Sequence, residues 1–432
     1  MKPTDSSPPK PSRRKVLAQL AAASAPLIIP SRLLGKDAPS NKITLGHIGM
    51  GSQGIGRNLR TFLNQPDQVT LAVCDVRRSA AERAKREVDQ HHGNTDCTVT
   101  QDFRELIARD DLDAIVISTP DHWHVPLSLA ALRAGKDVFC EKPTLTITEG
   151  SELVTEVMKR KAVFQWGIED RYLVKYYRLA GWVRAGLIGD LKTIHVTLPA
   201  KSPFPLEEPA PVPAGLDWNL WLGPAPFHEY TPTRPDPQHW RTLFDYSGGV
   251  ITDWGSHLID TAQIGARMEH LGPVEVFGSG PLPDPEKFHS DVPIRFDLDY
   301  RYANGVVMKV GAGEVDIKFE GSNGWVRCKG WNGAWSASDP EILRVAEFPD
   351  TADYWPRPPI EHRDFLDCMK SRSKPAYHAE AGHRLATALH LGHLAVRTGK
   401  TVKWDPGREA FEGESFEASP IYRRPPRDWQ GA

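Results

Sequence analysis

Ala114-Ile115-Val116-Ile117-Ser118-Thr119-Pro120-Asp121-His122-Trp123-His124 is the stretch on which the fold turns. Ala114–Ile117 is apolar without alternation, which suits a strand buried on both faces of a parallel sheet. It runs straight into a polar turn. Val125–Ala134 then carries apolar residues at helical spacing and stops at Gly135, a residue suited to the left-handed helix end. Val138–Cys140 repeats the apolar run, and Glu141-Lys142-Pro143 repeats the polar turn. Strand, turn, helix, strand, turn is a parallel unit. Open α/β sheets bind ligands beyond the carboxyl ends of their strands. Asp121, His122 and His124 therefore sit in one ligand-facing turn, and Glu141 and Lys142 in the next. A lysine directly after a buried strand is a poor packing choice and a useful reagent.

Upstream, Ile43–Ile48 alternates and ends in Gly49-Met50-Gly51-Ser52-Gln53-Gly54. Gly-x-Gly-x-x-Gly alone is a weak signal. Here it leaves a strand and opens a helix, Ile55–Leu63, which is the context a dinucleotide site needs. Gly49 makes the turn, Gly51 admits a pyrophosphate to the backbone, and Gly54 lets helix and strand pack. A second strand, Val69–Cys74, ends at Asp75, about 20 residues past the glycines, where an acid holds the ribose hydroxyls. Arg77 and Arg78 follow and suit a 2′-phosphate, but Asp75 would repel one, so NAD is favoured over NADP. Helices over Ser79–Gln90, Asp102–Ala108 and Thr148–Lys161, and a strand over Val163–Gly167, complete a doubly wound sheet of about six strands. His91 and His92 are assigned to a solvated loop.

At 432 residues the chain exceeds one ordinary core, so two domains are expected. They are 41–167, the dinucleotide-binding part, and 168–432, an α+β part that binds substrate. A formal net charge of −2 argues against nucleic-acid and membrane-surface partners. The 5 cysteines are odd in number and lack Cys-x-x-Cys, so neither a disulfide framework nor a zinc site is indicated. Residues 1–40 read as an export segment: Ser12-Arg13-Arg14-Lys15-Val16-Leu17 resembles a twin-arginine signal, and the apolar stretch Val16–Ile29 is short for a bilayer span and contains Pro26. The mature protein is thus expected outside the cytoplasm, or in the cytoplasm if the signal is not used, with no membrane span.

The second half opens with a helix over Tyr172–Ala185 and a strand over Thr193–Leu198. Residues 199–247 are rich in Pro and Trp, and so long a loop in a compact domain is usually functional. Trp218, Trp221 and Trp240 are its candidates for stacking on a sugar face. Runs at Val274–Gly278, Ile294–Tyr302, Val306–Gly311 and Trp325–Lys329 predict an open, mostly antiparallel sheet, followed by helices over Ile360–Lys370 and Glu380–Arg397. The tail from Trp404 is expected to wrap the surface. His383, His390 and His393 lack a carboxylate at zinc spacing and are assigned to packing or surface, so no metal is expected.

Asp253 and His257 stand four apart, on one face of a helix, and Asp260 joins them. Alone, such a pair is more often a surface interaction. With a strand-end lysine and a dinucleotide fingerprint it reads as an acid/base device. Oxidising an alcohol removes a proton as hydride leaves carbon, and a histidine titrating near neutrality suits that step. An ammonium held against the same oxygen stabilises the charge it develops.

Together these motifs resemble the glucose–fructose oxidoreductase / inositol dehydrogenase / MocA (Gfo/Idh/MocA) oxidoreductases from about Ile43 to Pro406, with Leu222–Pro226 and Trp404–Pro406 similar to a secreted subgroup. The resemblance implies a Rossmann domain and an α+β domain whose open sheet carries the substrate face and a homo-oligomer interface. It implies Lys142, Asp253 and His257 as the catalytic trio, Asp253 orienting His257. The dinucleotide lies across Gly49–Gly54, Ser52 and Gln53 included, with Asp75 on the ribose and Thr119, Pro120, His124, Glu141 and Lys142 toward the nicotinamide. Lys142-Pro143 is expected to be cis. Arg171 closes a Gly-x-Gln-x-Arg motif and is expected at the substrate, although Glu169 replaces the Gln. The implied activity is NAD(P)-dependent hydride transfer to or from a sugar, polyol or sugar derivative. The rivals are a redox-neutral NAD-dependent glycosidase or lyase of the same fold and a non-catalytic sugar-binding protein. Export, where free NAD is scarce, leads to the expectation of tightly held NAD.

Overall fold

The computed structural model describes residues 42–348 and 359–429. The twin-arginine segment lies outside these residues. Six short strands form the first sheet: β1 (Ile43–Ile48), β2 (Gln68–Cys74), β3 (Thr98–Thr100), β4 (Ala114–Ile117), β5 (Asp137–Glu141) and β6 (Phe164–Gly167). They pair in the order β3-β2-β1-β4-β5-β6, all parallel. Strand order reverses between β1 and β4, so their carboxyl ends open a crevice there. All of Ala114–Ile117 is buried, as a strand covered by helices on both faces must be.

The helix after the glycine loop begins as a π-helical stretch, Gly54–Leu59, before Arg60–Leu63 resumes α geometry. Its start is pressed on β1: a Cβ on Gly54 would lie 1.9 Å from the Gly49 carbonyl oxygen. The helix Ile147–Arg160 starts with a reciprocal cap between Thr146 and Glu149, and burial pushes the Glu149 carboxyl up to about 7. His91 and His92 close the helix Arg78–His92 instead of forming a loop, because Gly93 with φ 68° supplies the left-handed end one residue later.

The second sheet contains β7 (Leu191–Pro199), β8 (Glu275–Ser279), β9 (Asp297–Arg301), β10 (Val307–Gly313), β11 (Asp316–Gly321), β12 (Gly324–Lys329), β13 (Ala334–Ala337), β14 (Val402–Asp405) and β15 (Ala410–Phe411). Its order is β13-β12-β11-β7-β10-β9-β8-β14-β15, and β7 with β10 is its one parallel pairing among the described residues. On β7, Ile194, Val196 and Leu198 point inward and are buried, while Thr193, His195 and Thr197 on the opposite face are half-buried. One apolar cluster joins Ile115, Ile117 and Val138 of the first sheet to Ile194, Val196 and Met308 of the second. Both sheets therefore share a core.

The helix Ala379–Thr398 runs through that core. Its His383, His390 and His393 are all buried: His383 Nε2 meets Glu409 at 3.0 Å, His390 Nε2 meets the Thr144 carbonyl at 3.1 Å, and His393 packs on Phe244. They are packing residues. The tail is more than a wrapping. Trp404 is buried in β14, and Trp429 is buried between Phe103 and Trp123. All 5 cysteines are free and buried. No helix among the described residues is long and apolar enough to cross a membrane.

Candidate active site

The crevice between β1 and β4 opens into a cavity of about 610 Å³. Gly49, Gly51, Ser52 and Gln53 form its floor; Asp75, Thr119, Pro120 and His124 line one side; Glu141, Lys142, Asp253 and His257 line the far end. Lys142-Pro143 is cis, as expected.

The glycines divide their work. Gly49 has φ 88°, and a Cβ there would lie 2.7 Å from the Ser118 carbonyl group. Around Gly51 a Cβ would meet nothing within 4 Å, so open space faces that backbone. Asp75 is fixed by the Met50 and Arg77 main-chain N–H groups at 2.6 and 2.7 Å, and burial pushes its carboxyl up. Thr119 Oγ1 is buried without a partner and lines the cavity. An open anion-sized cradle, a fixed carboxylate and an orphaned hydroxyl fit a dinucleotide. The same residues leave NAD and NADP both open, since Arg77 and Arg83 also line the cavity.

His124 staples the two strand-end turns, its Nδ1 lying 2.8 Å from the Pro143 carbonyl and its Nε2 2.9 Å from that of Thr119. Glu141 is held in turn by Gln53 and Asn58, each donating to Oε1 at 2.9 Å. Gln53 thus positions a strand-end carboxylate as well as lining the cleft.

At the far end the expected wiring changes. Lys142 Nζ donates to Asp253 Oδ1 at 2.6 Å and to the Asp253 carbonyl at 3.1 Å. Arg241, unanticipated from the sequence, approaches Asp253 Oδ2 at 3.5 Å while stacking on Trp240. Burial opposes both charges of the pair, but each stabilises the other: Lys142 is held above its ordinary range and Asp253 well below its own, with Arg241 helping the latter. Asp253 is therefore not the residue that orients His257. The helix is interrupted at Trp254, giving Val250–Asp253 and Gly255–Gly265, and Asp253 reaches His257 through its charge and not through a hydrogen bond. His257 Nδ1 instead donates to Asp170 Oδ2 at 2.5 Å. Burial works against the imidazolium, and Asp170 overcomes it, raising the His257 pKa above 6.5. Glu169 lines the cavity beside this pair; burial pushes its carboxyl up, and Arg57 stands 4.0 Å away. Glu169, Asp170 and His257 present polar atoms within 4.8 Å of one another.

Three further expectations are corrected. Asp260 does not join His257; it makes a bidentate pair with Arg171, at 2.9 and 2.7 Å, deep in the core. Arg171 is thereby consumed, its third contact being the Ala376 carbonyl at 2.7 Å, and it does not line the cavity. Of the three tryptophans, Trp221 and Trp240 line the cavity. Trp218 does not; it stacks behind Trp221 at 4.7 Å and gives its N–H to the His228 carbonyl.

Fold and cleft together define a two-sheet, dinucleotide-binding oxidoreductase architecture. The chain belongs to the Gfo/Idh/MocA oxidoreductase family: residues 43–168 match its NAD-binding Rossmann fold and residues 205–430 its C-terminal alpha/beta domain. A glycosyl hydrolase family 109 protein of Shewanella sp. (strain W3-18-1) is 27% identical over 164 residues, which is 37% of this chain and 36% of that relative. The match thus spans about a third of the curated relative's length. Among solved structures, the WlbA dehydrogenase of Chromobacterium violaceum, in complex with NADH and UDP-GlcNAcA, aligns with a TM-score of 0.64 and 18% identity, covering 84% of this chain and 96% of that one. The aldose-aldose oxidoreductase of Caulobacter crescentus aligns at 0.62 and 17%, covering 84% and 99%. At such identities these structures share the fold.

Proposed function

We propose that the protein is an NAD(P)-dependent oxidoreductase that moves hydride to or from a hydroxyl-bearing carbon of a sugar, polyol or sugar derivative. The observation that carries this reading is the convergence of the Lys142 ammonium and the Asp170-backed His257 at the far end of the dinucleotide cleft. A nicotinamide bound there supplies the hydride acceptor. His257 Nε2 takes the hydroxyl proton, and Asp170 keeps the other ring nitrogen protonated and stabilises the imidazolium that results. Lys142, pinned by Asp253, offers its ammonium to the developing alkoxide. Trp221 and Trp240 wall the cavity with apolar surface, which strengthens these charges by excluding water.

A second reading has a specific observation behind it. Glu169 stands beside His257 with a carboxyl that burial keeps more readily protonated. Redox-neutral elimination needs two proton carriers: one for the hydroxyl, one for the departing group. Oxidation acidifies the neighbouring C–H; a base takes that proton, the leaving group departs with a proton from its acid, water adds to the resulting unsaturated ketone where the outcome is hydrolysis, and return of the hydride restores the oxidation state. The similarity to a glycosyl hydrolase family 109 protein supports the same reading. Incubation with a panel of sugars and glycosides, followed at the nicotinamide absorbance, separates the possibilities. Accumulating NADH supports net oxidation, product without accumulation supports the redox-neutral route, and binding without turnover supports a non-catalytic role. Export by the twin-arginine route and assembly as a homo-oligomer through the open sheet belong to the same proposal.

A further inference from the structure

A hairpin of the second sheet reaches the catalytic centre from outside the cavity. The β12–β13 turn, Gly330–Gly333, closes through the Gly333 N–H to the Gly330 carbonyl at 3.1 Å. Gly333 admits no side chain, since a Cβ would lie 1.9 Å from the Lys329 carbonyl oxygen. The helix Val174–Arg184 grips this turn: the Asn332 N–H donates to the Tyr176 hydroxyl at 3.0 Å, Lys175 Nζ donates to the Gly333 carbonyl, and the Trp335 indole donates to the Lys175 carbonyl at 3.3 Å. A turn tied at three points is held in place, and at its tip it carries Trp331.

The Trp331 indole N–H donates to Asp170 Oδ1 at 3.3 Å, on the same carboxylate that holds His257. Its ring centre is 6.2 Å from that of His257 and 6.5 Å from that of Trp254, the two indoles meeting edge to face at 83°. Despite these neighbours Trp331 is 39% exposed, and no other tryptophan among the described residues is in the exposed class. Its polar atom is already used, so what it offers solvent is ring. A rigidly placed, exposed aromatic ring beside a catalytic pair marks a recognition surface. Trp254 and His257 line the cavity; Trp331 does not. A single ring with its hydroxyl on His257 would lie within the cavity, whose lining does not include Trp331, and would leave Trp331 bare. A second ring joined to the first would cover it, its C–H face meeting the negative face of the indole.

We propose that Trp331 is the platform for the second group of a glycoside, and that the substrate is a two-ring glycoside, such as a disaccharide or aryl glycoside, in preference to a free sugar or polyol. This rests on the reading of the cleft as a site of carbohydrate chemistry. The test compares methyl and phenyl glycosides of gluco, galacto and manno configuration on wild type, Trp331→Ala and Trp331→Phe, by kinetics and by isothermal titration. The wild type is expected to favour the phenyl partner of the accepted sugar by about tenfold in KM. Trp331→Ala erases that preference and leaves the methyl glycoside's KM unchanged. Trp331→Phe, which keeps a ring but loses the N–H to Asp170, retains most of it. Equal loss of kcat on both substrates in both variants, with KM unmoved, means that Trp331 only positions Asp170 and overturns the proposal. So does a wild type without preference. Titration keeps the two readings apart: phenyl glycoside binding lost in Trp331→Ala supports the platform even where nothing is turned over, and unchanged or absent binding overturns it.

Discussion

Asp170 Oδ2 lies 2.5 Å from His257 Nδ1, a contact between residues 87 apart in sequence. The carboxylate is fully buried and the imidazole is 13% exposed, so the pair acts with little screening by water. Asp253, four residues before His257, is spent on Lys142 and Arg241.

Asp170→Asn is therefore expected to lower kcat by roughly 10²–10⁴ while dinucleotide binding is unchanged. The pH profile gives a second readout. His257 titrates above 6.5 because Asp170 outweighs burial. The neutral imidazole is the base for oxidation, so kcat/KM in that direction rises with pH through this raised pKa. Carbonyl reduction needs the imidazolium and falls over the same range. In Asp170→Asn, burial and the nearby Lys142 ammonium remain, opposed by Glu169 without Asp170, and the inflection moves down. An unmoved inflection would assign the titration to another group.

The Lys142–Asp253 pair predicts an asymmetry in stability. Breaking a buried pair by removing one partner costs about 3–5 kcal/mol, because the other charge stays buried. Lys142→Ala leaves Asp253 with Arg241 at 3.5 Å. Asp253→Ala leaves Lys142 and Arg241 facing each other without an anion. Urea unfolding should show Asp253→Ala as the less stable variant. The reverse order would mean that Arg241 does not share the site in solution.

Arg171→Ala should be a folding defect. Its bidentate contact with Asp260 is buried at 9% and 2% side-chain exposure, so the loss is about 3–5 kcal/mol. Near-native unfolding with a raised substrate KM would restore Arg171 to the substrate site.

Gly49 and Gly51 should fail in different ways. Gly49→Ala forces a side chain into the Ser118 carbonyl group at positive φ and costs about 1–3 kcal/mol in stability. Gly51→Val projects into open space, so the fold survives while dinucleotide affinity falls. Equal stability of the two variants by thermal unfolding would contradict this division.

What was legible in the sequence follows from range. β1, β4 and the dinucleotide turn are written locally, in apolar runs and glycine spacing, and Ile43–Ile48 and Ala114–Ile117 are found at the expected limits. Lys142 follows from where a strand ends, and His257 from its helical spacing to Asp253 and from the family resemblance. Their partners do not. Asp170, Arg241 and Trp331 reach the site from a helix start, a long loop and a hairpin tip, and nothing local in the chain marks them. The Glu169-Asp170 step after β6 held the nearest signal: paired acids in a ligand-facing turn, where a Gln was expected. β11 is absent from the expected strands although Ile317 and Phe319 alternate with Lys318 and Glu320, the pattern of a strand on a sheet with one wet face.

The loop over the cleft predicts slow loss of cofactor. Beyond Asp75, the main chain at Val76–Arg78 pairs with Gly215–Asp217: the Arg78 N–H meets the Gly215 carbonyl at 2.8 Å, and the Asp217 N–H meets that of Val76 at 2.9 Å. Gln101 Nε2 reaches the same two carbonyls at 2.9 and 3.1 Å. A segment of the second half thus bridges the end of the cleft where the adenosine would lie. The tail locks that segment from behind, with Arg427 donating to the Gly223 and Ala225 carbonyls and to Asn219 at 2.8–3.3 Å. These bonds are therefore expected to slow the release of a dinucleotide. Were the protein exported in folded form, as proposed above, such a clamp would keep a cofactor that could not be replaced outside the cytoplasm. The purified protein is expected to retain close to one dinucleotide per chain through desalting. Arg427→Ala removes several bonds of about 0.5–1.5 kcal/mol each, so the release rate should rise about ten- to a hundredfold. Gln101→Ala should act in the same direction and less strongly. Release is followed by nicotinamide fluorescence after a chase with excess unlabelled dinucleotide. Protein that emerges from gel filtration without nucleotide, and works only when NAD is added, would show that the bridge does not hold the cofactor.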